Sequence, residues 1–423
     1  MRGAKDSPVL FSLVILTWLV TMGSTQVLAS DKVTLIGPFA TWGPELNQAL
    51  ETFTARTGIP TEILQATGWP DLLDKVITMS AGGIAPDLVY GDNLRIMELA
   101  EGGLLQPLEG FVATSQINLK AYPPAVLEAL SVKGKLYSLP TALSIHANFY
   151  NEELFARGGV NPLPTDWMSD ALGWDEFVAL AKKLTVDANG DGVAEQYGLG
   201  AFGYQGGFNM IGMWNANDVD RDRTRYLGNT PEVIRALEFT TSLWLEHNVV
   251  GGNFLQSTAA MFPVQVYYLN NMVQATEKGS APAWNVGILP KGDARASQTG
   301  FHSIGIAAGS GNMTQAGQLL KFLAYESEGV VLFTRAENRV PVIREAVRDY
   351  IRRWSERAPG SNAFVFTEAA NVLWDWRIVS GKGATQILNL ETEAWNLIRS
   401  GQKSVADAIA YIEPRAQAAL SDK

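Results

Sequence analysis

The feature that most constrains the fold is an alternation of strand and helix signals between residues 32 and 90. Lys32 to Gly37 is a short apolar run, and Leu46, Ala49, Leu50 and Phe53 follow at helical spacing behind Pro44, with Gly58 as the stop. Thr61 to Gln65 reads as the next strand. Pro70 opens a second helix carrying Leu72, Leu73, Val76 and Ile77, closed by Gly82 and Gly83, and Pro86 to Tyr90 is a third strand. This β-α-β-α-β order implies a parallel sheet with right-handed crossovers. Ligands of such sheets sit beyond the carboxyl ends of the strands. Here those ends lead into Thr41-Trp42, Thr67-Gly68-Trp69 and Asp92-Asn93, so two loops carry an indole and the third a carboxylate and an amide.

Later segments keep the same mixture. Pro231 behind Thr230 opens a helix with Val233, Leu237, Thr240 and Trp244 on one face. Helical spacing returns at Gln315 to Tyr325, Arg344 to Arg357 and Ile387 to Arg399, and strand-like runs at Val286 to Leu289 and Ser303 to Ala307. There is no internal repeat, low-complexity tract or Ser/Gly linker, so the parts of the chain are expected to be joined by strands. A chain of 423 residues has room for two or three domains.

The first residues have the pattern of an export signal. Arg2 and Lys5 precede an apolar stretch from Val9 to Val20, and Val27-Leu28-Ala29 supplies small residues for cleavage near Ala29. The stretch is shorter than the roughly 20 residues a membrane span needs. There are no cysteines, which excludes disulfides, thiolate metal sites, cysteine nucleophiles and a lipidated cysteine. A free periplasmic protein is the expectation. Acidic residues outnumber basic ones 43 to 33, for a net charge of −10, which becomes −11 without Arg2, Lys5 and Asp6. Nucleic acid is therefore an improbable partner. The twelve tryptophans are many. An indole presents a flat apolar face with one N–H at its edge, and the C–H faces of a sugar ring suit that surface.

Several segments in order resemble the maltose-type (family 1) extracellular solute-binding proteins of bacterial ABC importers. They are Ala85-Pro86-Asp87-Leu88-Val89, Leu99 to Leu108, Gly134-Lys135-Leu136-Tyr137-Ser138-Leu139-Pro140, Phe149-Tyr150-Asn151-Glu152-Glu153-Leu154-Phe155, Trp174-Asp175-Glu176-Phe177, Asp187 to Gly198, Ala260-Met261, Val286 to Pro290 and Glu328-Gly329. The resemblance implies an α/β, two-lobed periplasmic-binding-protein fold of type II, each lobe a mixed β-sheet flanked by helices and joined by hinge crossings. Residues 1–29 would be the signal peptide, 30–143 with 285–337 the first lobe, 144–284 with 342–423 the second, and 338–341 a hinge crossing. It further implies a monomeric receptor that captures a sugar between its lobes and delivers it to membrane permease subunits.

Within that frame the candidate ligand contacts are Trp42 and Trp69 as stacking platforms, and Asp92 and Asn93 as hydroxyl-binding groups. Asp92 and Asn93 also suit a helix N-cap. By resemblance Ser144 and His146 would line the cleft after the first crossing, and Phe301 or His302 would face it from a glycine-flanked segment. Tyr204, Gln205 and Phe208 form a glycine-rich aromatic loop, and Tyr267 stands where many relatives carry a tryptophan. Trp374, Trp376 and Arg377 form an unusual cluster that suits either a cleft rim or core packing. Arg377 is the single cation in this set, which favours a neutral sugar over a polyol, sugar phosphate or organic anion. Asp187, Asn189, Asp191 and Glu195 repeat the start of a calcium loop, but Gly198 replaces the bidentate glutamate of an EF-hand, so calcium stays an open alternative to a metal-free turn. A secreted carbohydrate enzyme is the rival class. No Gly-x-Ser-x-Gly, His-Glu-x-x-His or phosphate-loop pattern supports it, and no other cofactor is expected.

Overall fold

The computed structural model describes residues 32–421, apart from 41, 202–205, 375–380 and 382. The expected alternation is present almost residue for residue: β1 (Val33–Gly37), α1 (Glu45–Thr57), β2 (Thr61–Gln65), α2 (Trp69–Ala81) and β3 (Leu88–Asp92). Helix α1 buries Leu46, Ala49, Leu50 and Phe53 and ends at Gly58, whose φ of 74° is the left-handed conformation that glycine adopts without steric cost. β1 pairs in parallel with both β2 and β3. Asp87, at the foot of β3, accepts from the Thr34 backbone N–H and hydroxyl, at 2.8 and 2.9 Å. Ser310 donates to the same buried carboxylate at 2.6 Å. A polar residue at the start of an apolar strand is thus a clamp between strands.

One long strand organises the rest. β4 (Ser138–Asn151) is buried along nearly its whole length and belongs to two groups of strands. Its first part pairs antiparallel with β8 (Ser297–Ile306), which pairs antiparallel with β3. Its second part, from His146 on, pairs with β6 (Ala259–Gln265) and β7 (Trp284–Gly287), and β6 pairs in parallel with β5 (Tyr197–Leu199). A short strand β9 (Val340–Pro341) pairs with Ala142 and Leu143 of β4. The sheet therefore has a first half, β2-β1-β3-β8-β4, and a second half built around the far end of β4, with β4, β8 and the segment at β9 passing between them. β7 pairs with the second-half end of β4, so the chain from Asn285 runs with the second half until β8 carries it back, a return that begins later than the resemblance implied. Among the described residues no helix is long and apolar enough to cross a membrane.

A register shift in β8 between His302 and Ser303 breaks its pairing with β4, opposite Ala142 and Pro140. Proline has no N–H to give the ladder, and a bulge at such a point re-aims the neighbouring side chain. The extra residue is Thr141 on β4, whose hydroxyl reaches the His302 carbonyl and Glu337 Oε1, both at 3.3 Å.

Candidate functional site

The carboxyl ends of β1 and β2 build one wall of a cavity. After Gly37 the chain folds Phe39 back so closely that a Cβ on Gly37 would stand 2.5 Å from its ring. The Trp42 N–H then donates to the Phe39 carbonyl at 3.0 Å. The Trp42 indole lies edge-on to Phe39, Tyr90 and Phe333, with centroids 4.8, 4.9 and 5.2 Å away. Trp69 begins α2 and its ring lies 5.6 Å from His302 and 6.1 Å from Tyr90. The opposite wall comes from the second half: Tyr267, Asn270 and Asn271 at the start of α3 (Tyr268–Glu277). Between them lies a cavity of about 330 Å³, whose base includes Glu337, Asn338 and Arg339 at the crossing. Three larger depressions touch neither indole: two open grooves on the flanks of α1, of about 600 and 590 Å³, and one of about 380 Å³ beside Trp284 and Arg357.

Behind the first wall runs a buried polar lattice. Arg339 Nε donates to Ser144 Oγ at 2.9 Å, Ser144 Oγ lies 2.9 Å from His302 Nε2, and His302 Nδ1 lies 2.9 Å from the Tyr90 hydroxyl. The Tyr90 hydroxyl donates to Glu337 Oε1 at 2.7 Å. With Glu337 ionised and His302 neutral, every donor points the same way, from guanidinium to carboxylate; this fixes the imidazole proton on Nδ1 by hydrogen-bond logic. Burial pushes the Glu337 carboxyl up to about 7, against the opposing pull of the Arg339 charge and of hydrogen bonds from Tyr90 and Thr141. Burial, reinforced by Glu337, likewise raises the Tyr90 hydroxyl well above its ordinary value. Glu337 Oε2 has no hydrogen-bond partner among the described residues.

The candidates named from sequence separate into groups. Trp42, Trp69 and Tyr267 share the cavity, and Ser144 and His302 sit in the lattice beneath it. Asp92 caps the helix that follows β3, accepting from the Arg95 N–H at 3.0 Å and pairing with the Arg95 guanidinium at 3.0 Å. Asn93 is fully buried and accepts from the Phe301 N–H at 3.2 Å, tying that helix to β8. His146 is half-buried, with Nδ1 3.2 Å from the Gln298 carbonyl. Phe208 and Phe301 lie in the core, 0 % and 1 % exposed, with no face left for a solute. Trp374 is half-buried and donates to Asn217 Oδ1 at 3.0 Å. Tyr204, Gln205, Trp376 and Arg377 lie outside the described residues. Tyr90, Glu337, Arg339, Asn270 and Asn271 were not singled out by sequence.

The Asp187 loop is closed by its own hydrogen bonds. Asp187 accepts from the N–H groups of Gly190 and Gly192, Asn189 from Asp191, Asp191 from Val193, and Glu195 from the Ala188 N–H and the Asn189 amide, all between 2.7 and 2.9 Å. Most oxygens that would face a calcium ion already face N–H donors. Among the described residues no group of three acidic or histidine side chains is placed to hold a metal.

Comparison with known proteins agrees with this architecture. Residues 48–359 match the family model for bacterial extracellular solute-binding proteins. A binding protein of Brucella abortus (strain 2308) is 24% identical over 354 residues, covering 78% of this chain and 81% of that protein. The ABC substrate-binding protein of Listeria monocytogenes solved in complex with cycloalternan superposes with a TM-score of 0.78 at 18% identity, over 93% of this chain and 99% of that one. UgpB of Mycobacterium tuberculosis, solved with glycerophosphocholine, gives 0.76 at 18% identity over the same shares. The fold is the type II, two-lobed arrangement of such binding proteins, with a mixed sheet flanked by helices.

Proposed function

This chain belongs to the bacterial extracellular solute-binding protein family, and on that premise we propose that it is the exported receptor of an ABC importer, closing two lobes over a sugar and passing it to membrane permease subunits unchanged. The observation that carries the reading is the cavity itself. Two indoles from the first lobe face a tyrosine and two amides from the second across a gap at the crossings. Aromatic faces suit the C–H faces of a pyranose and the amides suit its hydroxyls. A hinge between the lobes lets both walls meet a solute at once. The cycloalternan-bound neighbour supports a sugar cargo.

Catalysis has little to work with here. The buried acid pair Asp218 and Glu391 is sealed inside the second lobe, 1 % and 0 % exposed, and neither lines the cavity. The Asp187 turn holds its shape through N–H donors, so we place no metal in it. The protein works as a monomer, free in the periplasm after cleavage near Ala29. A thermal-shift screen against mono- and oligosaccharides tests the central reading, because a ligand that binds only the folded state raises its melting temperature. At least one sugar is expected to do so and to be recovered intact after incubation. A screen without any stabilising sugar, or a sugar recovered cleaved, would overturn it.

A further inference from the structure

The cavity contains a cation that the neutral-sugar expectation did not anticipate. Arg339 sits at the crossing between lobes and is held from both sides of it. Its Nε donates to Ser144 Oγ at 2.9 Å and its Nη1 to the Glu337 carbonyl at 3.1 Å. Those two bonds fix the plane of the guanidinium and leave Nη2 without a protein acceptor among the described residues. No described carboxylate forms an ion pair with it. The nearest acid, Glu337, turns its carboxyl to Tyr90 and Thr141 behind the wall. Asp92, the next acid in the region, is matched by Arg95. The other described groups around the cavity are neutral: Pro38, Ala40, Thr67, Asn270, Asn271 and Asn338.

A half-buried guanidinium in a cleft whose one acid among the described lining residues, Glu337, is bonded elsewhere is tolerable while water reaches it. Closure changes that. When the lobes meet over a solute, water leaves, and an unpaired charge in the closed site costs free energy that a neutral ligand cannot return. A ligand anion can, because guanidinium offers directional donors that match carboxylate and phosphate oxygens. Building on the sugar-receptor reading, we propose that the cargo is an acidic sugar, whose carboxylate or phosphate pairs with Arg339 while its ring lies against Trp42 and Trp69. A cavity of about 330 Å³ is at the small end of ligand sites, which run from roughly 300 to 1,000 Å³. It suits one such ring rather than a long chain.

The test is calorimetry on matched mono- and disaccharides that differ only at C6: hydroxymethyl, carboxylate, or phosphorylated hydroxymethyl. For the unaltered protein an acidic member is expected to bind about ten- to a hundredfold tighter than its neutral partner, the range of a charge-assisted bond. The advantage should shrink as salt is raised. Which acid gains more identifies the anion. Arg339→Gln should bring the acid-to-neutral ratio close to one, and Arg339→Lys, which keeps the charge and spares the fold if Gln does not, should retain part of it. Neutral members binding as tightly as acidic ones would overturn the anion assignment and leave the sugar receptor standing. A ratio unchanged in Arg339→Gln would also overturn it. Binding by no pair would bring down both.

Discussion

The two walls of the cleft are built on different principles. Trp42 and Trp69 belong to a lattice: each indole touches Tyr90, and Tyr90 is bonded to His302 and Glu337 beneath. Tyr267 is 43 % exposed, and its neighbours Asn270 and Asn271 project from the first turn of α3 with few partners. One amide is engaged, through Asn270 Oδ1 accepting from Arg357 at 3.3 Å. The first wall is thus shaped before any solute arrives, and little rotamer freedom is left to lose there. The second must order its side chains as it closes, at about 0.5–1.5 kcal/mol for each one immobilised. A receptor divided this way places specificity on the rigid side and adaptability on the moving side.

Trp42→Ala should break the division most severely. Trp42 is wedged among Phe39, Tyr90 and Phe333, so its removal opens a gap in the first lobe as well as deleting a ligand face. A loss of about 3 kcal/mol in stability is expected, near the lower bound for core Trp→Ala because the ring is only half-buried. Affinity should fall with it. Chemical denaturation and calorimetry on the same preparation measure both, and unchanged stability would show that the wall is not locked by packing.

Glu337→Gln probes the lattice rather than the rings. The carboxyl is raised by burial to about 7, so the folded state holds its proton more tightly than the unfolded chain does. Its contribution to stability is then full below about pH 4.5 and drains away as pH rises through 7. The shift corresponds to about 3 kcal/mol between those limits. The groups facing it are Tyr90, Thr141, Arg339 and His302, whose Nδ1 stands 3.9 Å from Glu337 Oε1. The unaltered protein should lose stability relative to Glu337→Gln between pH 5 and 8, measured as the difference between two denaturation series. Parallel series would mean that burial does not raise the carboxyl.

The rigid wall was also the part most open to reading from sequence, and the reason is locality. Trp42 and Trp69 follow directly from two short strands whose apolar runs are unambiguous, and the rule that ligands gather at strand ends does the rest. Tyr90 looked like one more apolar strand residue, because its role depends on Glu337, 247 positions away. Glu337 and Arg339 were not read as site residues, although the resemblance put Arg339 inside a hinge crossing at 338–341. They acquire meaning from the pairing of β9 with β4, a contact no periodicity announces. Phe301 and His302 show the opposite failure. Adjacent strand residues face opposite sides, so at most one could reach the cleft wall, and the partners that mark His302, Ser144 and Tyr90, stand 158 and 212 positions away. The Asp187 spacing allowed either calcium or a metal-free turn, and the N–H donors that close the turn could not be read from that spacing.

Trp69→Ala separates the two duties that Trp42 combines. Trp69 makes fewer and longer ring contacts, among the described residues to His302 and Tyr90, and stands at the open start of α2. Its deletion should weaken ligand binding by about 2 kcal/mol through lost stacking and burial, with a melting temperature closer to that of the parent than Trp42→Ala shows. Equal stability losses in the two variants would erase the distinction between packing anchor and ligand platform.

Tyr267→Ala carries the smallest expected effect and is the direct test of the adaptable wall. Among the described residues no ring packs on it, and nearly half its surface meets water, so stability should stay within about 0.5 kcal/mol, as for other surface substitutions. Affinity should fall by about 1 kcal/mol, because the stacking lost is partly offset by the rotamer freedom that no longer has to be given up on closure. That offset has its own signature. The binding entropy of Tyr267→Ala should be less unfavourable than that of the parent, whereas Trp69→Ala, which removes a ring already in place, should lose enthalpy without regaining entropy. Calorimetry of both variants with one sugar at one temperature reads the two terms side by side. If Tyr267→Ala lost as much enthalpy as Trp69→Ala with no entropic return, both walls would be equally preformed, and the asymmetry between them would have no thermodynamic content.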